Sequence, residues 1–159
     1  LGHRNIVVVD IDEAKRTSAL AAGASAVVDG HAADLAEALR LAAKGPLLHV
    51  IDFVNSTATA SAAFEALANG GTLVMGGVAG GILEIPLATM IFKPRNIVGT
   101  KTGSIQDLRD VIALANSGKL KSIPIERMAC DDANQALMRL KDGRVTGRVV
   151  LESGSHPSG

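Results

Sequence analysis

Ile6-Val7-Val8-Val9-Asp10 sets four β-branched residues in a row and closes them with an acid. A run with no polar alternation suits a parallel strand buried on both faces. A helix follows. Asp12 is its candidate N-cap, Glu13 suits the positive first turn, and Gly23 is a natural residue just past its end. Ala26-Val27-Val28 then reads as a second strand. The pattern repeats down the chain. Leu35, Ala38, Leu39 and Ala42 form one helical face that Gly45-Pro46 ends. Leu47 to Ile51 is a strand ending at Asp52, and Thr57 to Ala68 is a helix with Ala63, Phe64 and Leu67 on one side. Thr72 to Met75 is a strand entering Gly76-Gly77, and Ile82 to Ile85 reads as an edge strand before Pro86.

Asn96 to Gly99 is the next strand. Ser104 and Asp107 form an S-x-x-D capping box for a helix with Leu108, Val111, Ile112 and Ala115 on one face. After Gly118 the rhythm changes. Ile123-Pro124-Ile125 is a short strand kept off the sheet centre by its proline, and Asp131 to Lys141 is a helix with Ala133, Ala136, Leu137 and Leu140 inward. Gly147 to Leu151 is a last strand, and the Ser/Gly/Pro-containing stretch 152–159 reads as a disordered tail or tag remnant. Strands alternating with single helices predict an α/β fold, Rossmann-like and doubly wound, with a mostly parallel sheet.

Composition narrows the function. Lys plus Arg and Asp plus Glu both number 16, for a formal net charge of +0, which argues against a nucleic-acid partner. With 2% aromatics and neither Trp nor Tyr, stacking platforms for single strands are not expected. One cysteine excludes an internal disulfide and fits a reducing cytoplasm. The longest apolar stretch, Leu73 to Leu83, is Gly-rich and too short to span a bilayer, so no membrane partner is expected. His3, His31, His49 and His156 show no metal spacing; His49 is expected to be packed and Cys130 to be a structural thiol.

Asp10 carries the most chemistry. An acid at the end of a buried strand, before a helix, can accept hydrogen bonds from both adenosine ribose hydroxyls and repels a 2′-phosphate, so it favours NAD over NADP. The competing reading is a simple helix cap. The phosphate-binding G-x-G-x-x-G is expected roughly 20 residues before such an acid, yet only nine residues precede Asp10. The chain therefore reads as a fragment whose sheet is incomplete at its first strand. The strands at Ile6–Val9 and Leu47–Ile51 are expected to border a gap, stable only if it is filled or if they rejoin directly. Gly76-Gly77-Val78-Ala79-Gly80-Gly81 lacks the Lys-Ser/Thr of a P-loop and has Glu84 nearby, so close backbone approach to a flat ring suits it better. Lys15 and Arg16 read as solvated charge. Arg148 is either a two-pronged pyrophosphate ligand or a surface ion pair.

Val7-Val8-Val9-Asp10 with Lys15, Ala21-Ala22-Gly23-Ala24, Gly70 to Val74 with Gly76, and Ile97 to Thr100 resemble the coenzyme domain of medium-chain zinc alcohol dehydrogenases. Asp107-Leu108 and Gly147 to Leu151 agree in order and spacing. The resemblance implies a Rossmann-like NAD-binding domain over 1–122 and a returning segment of the GroES-like catalytic domain over 123–151. It implies that Asp10 binds the adenosine ribose with Lys15 near it, and that Val54 lines the cofactor channel. Met75, Gly77 and Thr100-Lys101-Thr102 would face the nicotinamide carboxamide, and Arg148 would hold the pyrophosphate. It further implies an alcohol or aldehyde substrate, zinc bound by the parent enzyme but not by this chain, no catalytic residue here, no activity of the fragment alone, and a homo-oligomer through an edge strand at 82–85. Two other readings stay open: a methyltransferase-like domain binding S-adenosylmethionine, and a non-catalytic nucleotide-binding or dimerising module.

Overall fold

Residues 5–120 and 123–153 are described in the computed structural model. The stretch 154–159 of the expected tail lies outside them, while Glu152 closes a strand. The chain forms two compact units, 1–107 and 108–159.

The first unit alternates strand and helix: β1 (Val7–Asp10), α1 (Glu13–Ala22), β2 (Ala26–Asp29), α2 (Leu35–Ala43), β3 (His49–Asp52), α3 (Thr57–Ala66), β4 (Thr72–Met75), α4 (Leu87–Phe92) and β5 (Asn96–Gly99). Asp12 caps α1 as expected, accepting from the N–H groups of Ala14 and Lys15, and Gly23 ends it at φ +117°. That left-handed conformation favours glycine because it has no Cβ to clash.

β1 pairs in parallel with β2, from Val7↔Ala26 to Asp10↔Asp29. A second sheet runs β3-β4-β5, also parallel, with Asp52↔Met75 and Met75↔Gly99 at its carboxyl end. Among the described residues β1 and β3 share no ladder. The expected gap is present, and the strands flanking it do not rejoin. Helices join the two sheets instead. Ala36 and Leu39 of α2 pack on Ala66 of α3, with Val7 and Val9 from one sheet and Leu47, leading into β3, against the same cluster. The Asn5 side-chain amide donates to the Ala43 carbonyl at 2.7 Å, holding the entry to β1 against the end of α2. The buried stripe of α2 is Ala36, Leu39 and Ala43, one residue round from the expected Leu35, Ala38, Leu39, Ala42. Small alanines let α2 approach α3 closely, and that packing wins over the larger Leu35.

Ala63, Phe64 and Leu67 pack around Leu73 on the central strand β4, as their spacing predicts. The edge strand expected at Ile82–Ile85 is not formed; Leu83 and Ile85 pack singly on that core. Pro86 then begins the short helix α4, which the pattern did not predict. His49, expected to be packed, is exposed at the β3 edge facing the gap in the ladder.

α5 (Ile105–Asn116) crosses the boundary between the units. Its capping box forms: the Ser104 hydroxyl accepts from Asp107 N–H at 3.2 Å, and the Asp107 carboxylate accepts from Ser104 N–H at 2.6 Å. The Ser104 hydroxyl, which also donates to the carboxylate at 2.7 Å, and then the Ser104 N–H hold the Asp107 carboxyl below its ordinary pKa. The apolar face expected to point inward is exposed at Leu108, Val111, Ile112 and Ala115, because no described element covers it.

The second unit pairs β6 (Ile125–Ala129) in parallel with β7 (Arg148–Glu152). A 3-10 turn over Cys130–Asp132 leads into α6 (Ala133–Lys141). Cys130 is exposed rather than structural. Of the four residues expected inward on α6, Ala136 is buried and Ala133 half-buried, but Leu137 and Leu140 are more than three-fifths exposed. Arg139 reaches Glu126 on β6, with Nη2 to Oε2 at 2.7 Å and a second contact from Nη1. Gly147, at φ +84°, lies where a Cβ would meet the Pro124 carbonyl oxygen, so the turn into β7 admits no side chain.

The hydrogen bond from Arg139 holds the Glu126 carboxyl below its ordinary 4.5. A depressed folded pKa stabilises above the unfolded value and loses that contribution as pH falls through the folded one. The β6–α6 link is therefore expected to be complete at neutral pH and to weaken below pH 4.5. Glu126→Gln should flatten that part of the acid-unfolding curve, followed by circular dichroism. An unchanged curve would show that the pair does not contribute.

Candidate functional site

In a parallel α/β sheet ligands bind beyond the carboxyl ends of the strands. At that end of the β3-β4-β5 sheet the chain makes one connected cluster. Asp52 ends β3 and is 7% exposed. Its Oδ1 accepts from Val54 N–H at 2.8 Å and Asn55 N–H at 2.9 Å. Its carbonyl accepts from Gly76 and Gly77 N–H at 2.9 and 3.0 Å. The Asn55 amide donates to the Gly77 carbonyl at 2.8 Å, from a residue held at φ +56°. Thr100 N–H donates to the Met75 carbonyl at 3.0 Å. Val54, Met75, Gly77 and Thr100 are thus brought together.

Gly77 has a close-approach role. A Cβ there would lie 2.4 Å from backbone atoms of Phe53 and Val54, so only glycine lets the β4 loop lie on the turn after β3. Gly81 repeats this against Thr57 N, at 2.2 Å. The glycine-rich stretch therefore braces the floor of the cluster.

Asp52 and Asn55 were not singled out as site residues in the sequence. The available signal was the acid closing a strand before a helix, the same placement as Asp10. Both keep one buried acceptor without a partner among the described residues, Asp52 Oδ2 and Asn55 Oδ1. Unpaired buried acceptors are costly, and a donor from a ligand would satisfy them. Asp52→Ala should destabilise the unit by about 1–3 kcal/mol by orphaning two N–H groups. Urea unfolding measures this, and an unchanged midpoint would count against Asp52 as the brace.

Of the other candidates, Asp10, Lys15 and Arg148 make no hydrogen bond to this cluster among the described residues. Asp10 ends β1, half-buried; its Oδ1 accepts from Asp12 N–H at 2.9 Å, and Oδ2 has no partner among the described residues. The turn is braced by Arg16, whose Nη1 donates to the Asp10 carbonyl at 2.8 Å and approaches Asp29 Oδ1 at 3.4 Å. Arg16, expected to be solvated, is 16% exposed in its side chain. Lys15 is exposed, with its ammonium unpaired among the described residues. Lys101 and Thr102 are exposed in the loop after β5. Arg148 begins β7 in the second unit, exposed, with Nη1 to the Gly147 carbonyl at 3.1 Å.

The described residues group no three His, Cys, Asp or Glu side chains able to hold a metal. They do not fit a resident zinc site. No helix among them is long and apolar enough to cross a membrane.

Parallel βαβ units with an acid closing the first strand define an α/β protein of the doubly wound class. The zinc-binding dehydrogenase family matches over residues 1–117, and the chain belongs to it. It is 33% identical over 147 residues to an NAD-dependent alcohol dehydrogenase of Saccharolobus solfataricus, covering 92% of this chain and 42% of that one. It is 28% identical over 148 residues to an alcohol dehydrogenase of Geobacillus stearothermophilus, at 93% and 43% coverage. The crystal structure of the alcohol dehydrogenase of Aeropyrum pernix superposes with a TM-score of 0.82 at 29% identity, over 92% of this chain and 42% of that one. The chain spans somewhat over two fifths of the length of these relatives.

Proposed function

We propose that this chain is the coenzyme-binding part of an NAD-dependent, zinc-type alcohol dehydrogenase. The observation that carries the reading is the braced cluster at the carboxyl end of β3-β4-β5, with two buried acceptors awaiting a donor. NAD, when bound, supplies the hydride acceptor for an alcohol. Asp10 accepts from the adenosine ribose hydroxyls through its free oxygen, with Lys15 beside it. Val54, held by Asp52, lines the channel. Met75, Gly77 and Thr100-Lys101-Thr102 present backbone to the carboxamide, and Arg148 holds the pyrophosphate. The relatives named as NAD-dependent alcohol dehydrogenases support alcohol or aldehyde as the substrate class. Residues 1–122 are assigned to the coenzyme domain and 123–151 to a segment returning to the catalytic domain. A cytoplasmic location and a homo-oligomer belong to the same reading, although the 82–85 strand expected to join its copies is not formed.

Amide chemical-shift mapping with NADH tests it. Shifts are expected at Asp10, at 52–55, at 75–77 and at Thr100. Saturable binding that leaves all of these unmoved would contradict the reading.

A further inference from the structure

Away from that cluster, a cavity of about 460 Å³ opens between α2, α3 and α4, lined by Arg40, Glu65, Thr89, Phe92, Lys93 and Arg95. Arg95 is 8% exposed. A guanidinium taken that far from water normally has a carboxylate beside it. Arg95 has none within ion-pair distance among the described residues. Its Nη2 reaches the Glu65 carbonyl at 3.5 Å, its carbon lies 4.7 Å over the Phe64 ring, and its buried Nε has no acceptor.

A purely structural role accounts for part of this. The Glu65 carbonyl, near the end of α3, also accepts from Arg40 Nη1 at 3.1 Å, so both arginines cap that helix. Arg40 has its own carboxylate, Glu37, at 2.8 Å. Capping leaves the buried Arg95 Nε without an acceptor among the described residues. The exposed Lys93 lines the same cavity, together with Thr89 and Phe92.

We propose that this cavity binds a small organic carboxylate, its anionic head on Arg95 and Lys93 and its apolar body against Phe92. Glu65 lines the same cavity, and its negative charge would repel a phosphate dianion more strongly than a monoanion.

The test uses sodium hexanoate on the whole chain at constant ionic strength, with hexanamide as the neutral analogue and inorganic phosphate as the competing anion. Chemical shifts of the Phe92 ring and of the Thr89 and Lys93 amides report on the site. Saturable shifts with hexanoate in the millimolar range are expected, with weaker effects of hexanamide and phosphate. Lys93→Gln, at an exposed position, should weaken hexanoate roughly three- to tenfold. Arg95→Leu should abolish binding while leaving the melting temperature unchanged or raised, because an unpaired buried charge is removed. Unmoved Phe92 and Lys93 signals, equal binding of hexanamide, tighter binding of phosphate, or a Lys93→Gln variant that binds as before would each overturn the proposal.

Discussion

Leu73→Ala is expected to lower the stability of the first unit by about 2–5 kcal/mol, the range for emptying a fully buried leucine site. Leu73 is 0% exposed and lies on β4, the central strand of its sheet. It clusters with Ala63 and Phe64 of α3 and with Leu67 just past its end, and Val50, Met75 and Ile97 pack partly buried on the same cluster. Neighbouring strands are hydrogen-bonded on both sides and cannot move in to fill the space. Domains are typically stable by only 5–15 kcal/mol, so this one change removes a large share. The urea midpoint measures it. Leu48→Ala, at a residue 45% exposed, is the comparison and should shift the midpoint far less. Equal shifts would mean that the core is not centred on β4.

Asp10→Asn should weaken NADH binding about ten- to hundredfold, the loss of charge-assisted hydrogen bonds to a ribose. Asparagine keeps an oxygen for Asp12 N–H, so the turn and its 2.9 Å bond survive while the charge goes. The same change should narrow any preference for NADH over NADPH, since the repulsion of a 2′-phosphate is lost. Unfolding should be nearly unaffected. If Asp10→Asn unfolds the chain yet the folded remainder binds NADH normally, Asp10 is a cap and not a ligand.

What could be read in the sequence was local. Val7 to Asp10 and Thr72 to Met75 carry the β-branched and apolar runs of buried parallel strands, and both are strands. Asp12 and the Ser104–Asp107 pair are caps decided within one helical turn, and both form. The inward faces of α5 and α6 could not be read, because periodicity shows that a stripe is apolar but not whether anything covers it. Leu137 and Leu140 are more than three-fifths exposed. Ile82 to Ile85 has strand-like residues but found no ladder partner, and pairing is a tertiary event. The resemblance singled out Val54 and Gly77, and both lie in the hydrogen-bonded cluster at the strand ends. Asp52 and Asn55 were not singled out, because their bracing depends on which loops meet across the ends of three strands. Arg95 gave no signal, since a cation after Pro94 reads as surface until α3 is seen beneath it.

The central claim is that this chain carries an NAD site read by Asp10. The most direct measurement is a side-by-side titration with NADH and NADPH, following the fluorescence of the cofactor, which the absence of Trp and Tyr leaves unobscured. The account predicts saturable NADH binding, at least tenfold tighter than NADPH by the charge of Asp10. Equal or tighter NADPH binding, or no binding of either cofactor, would contradict it.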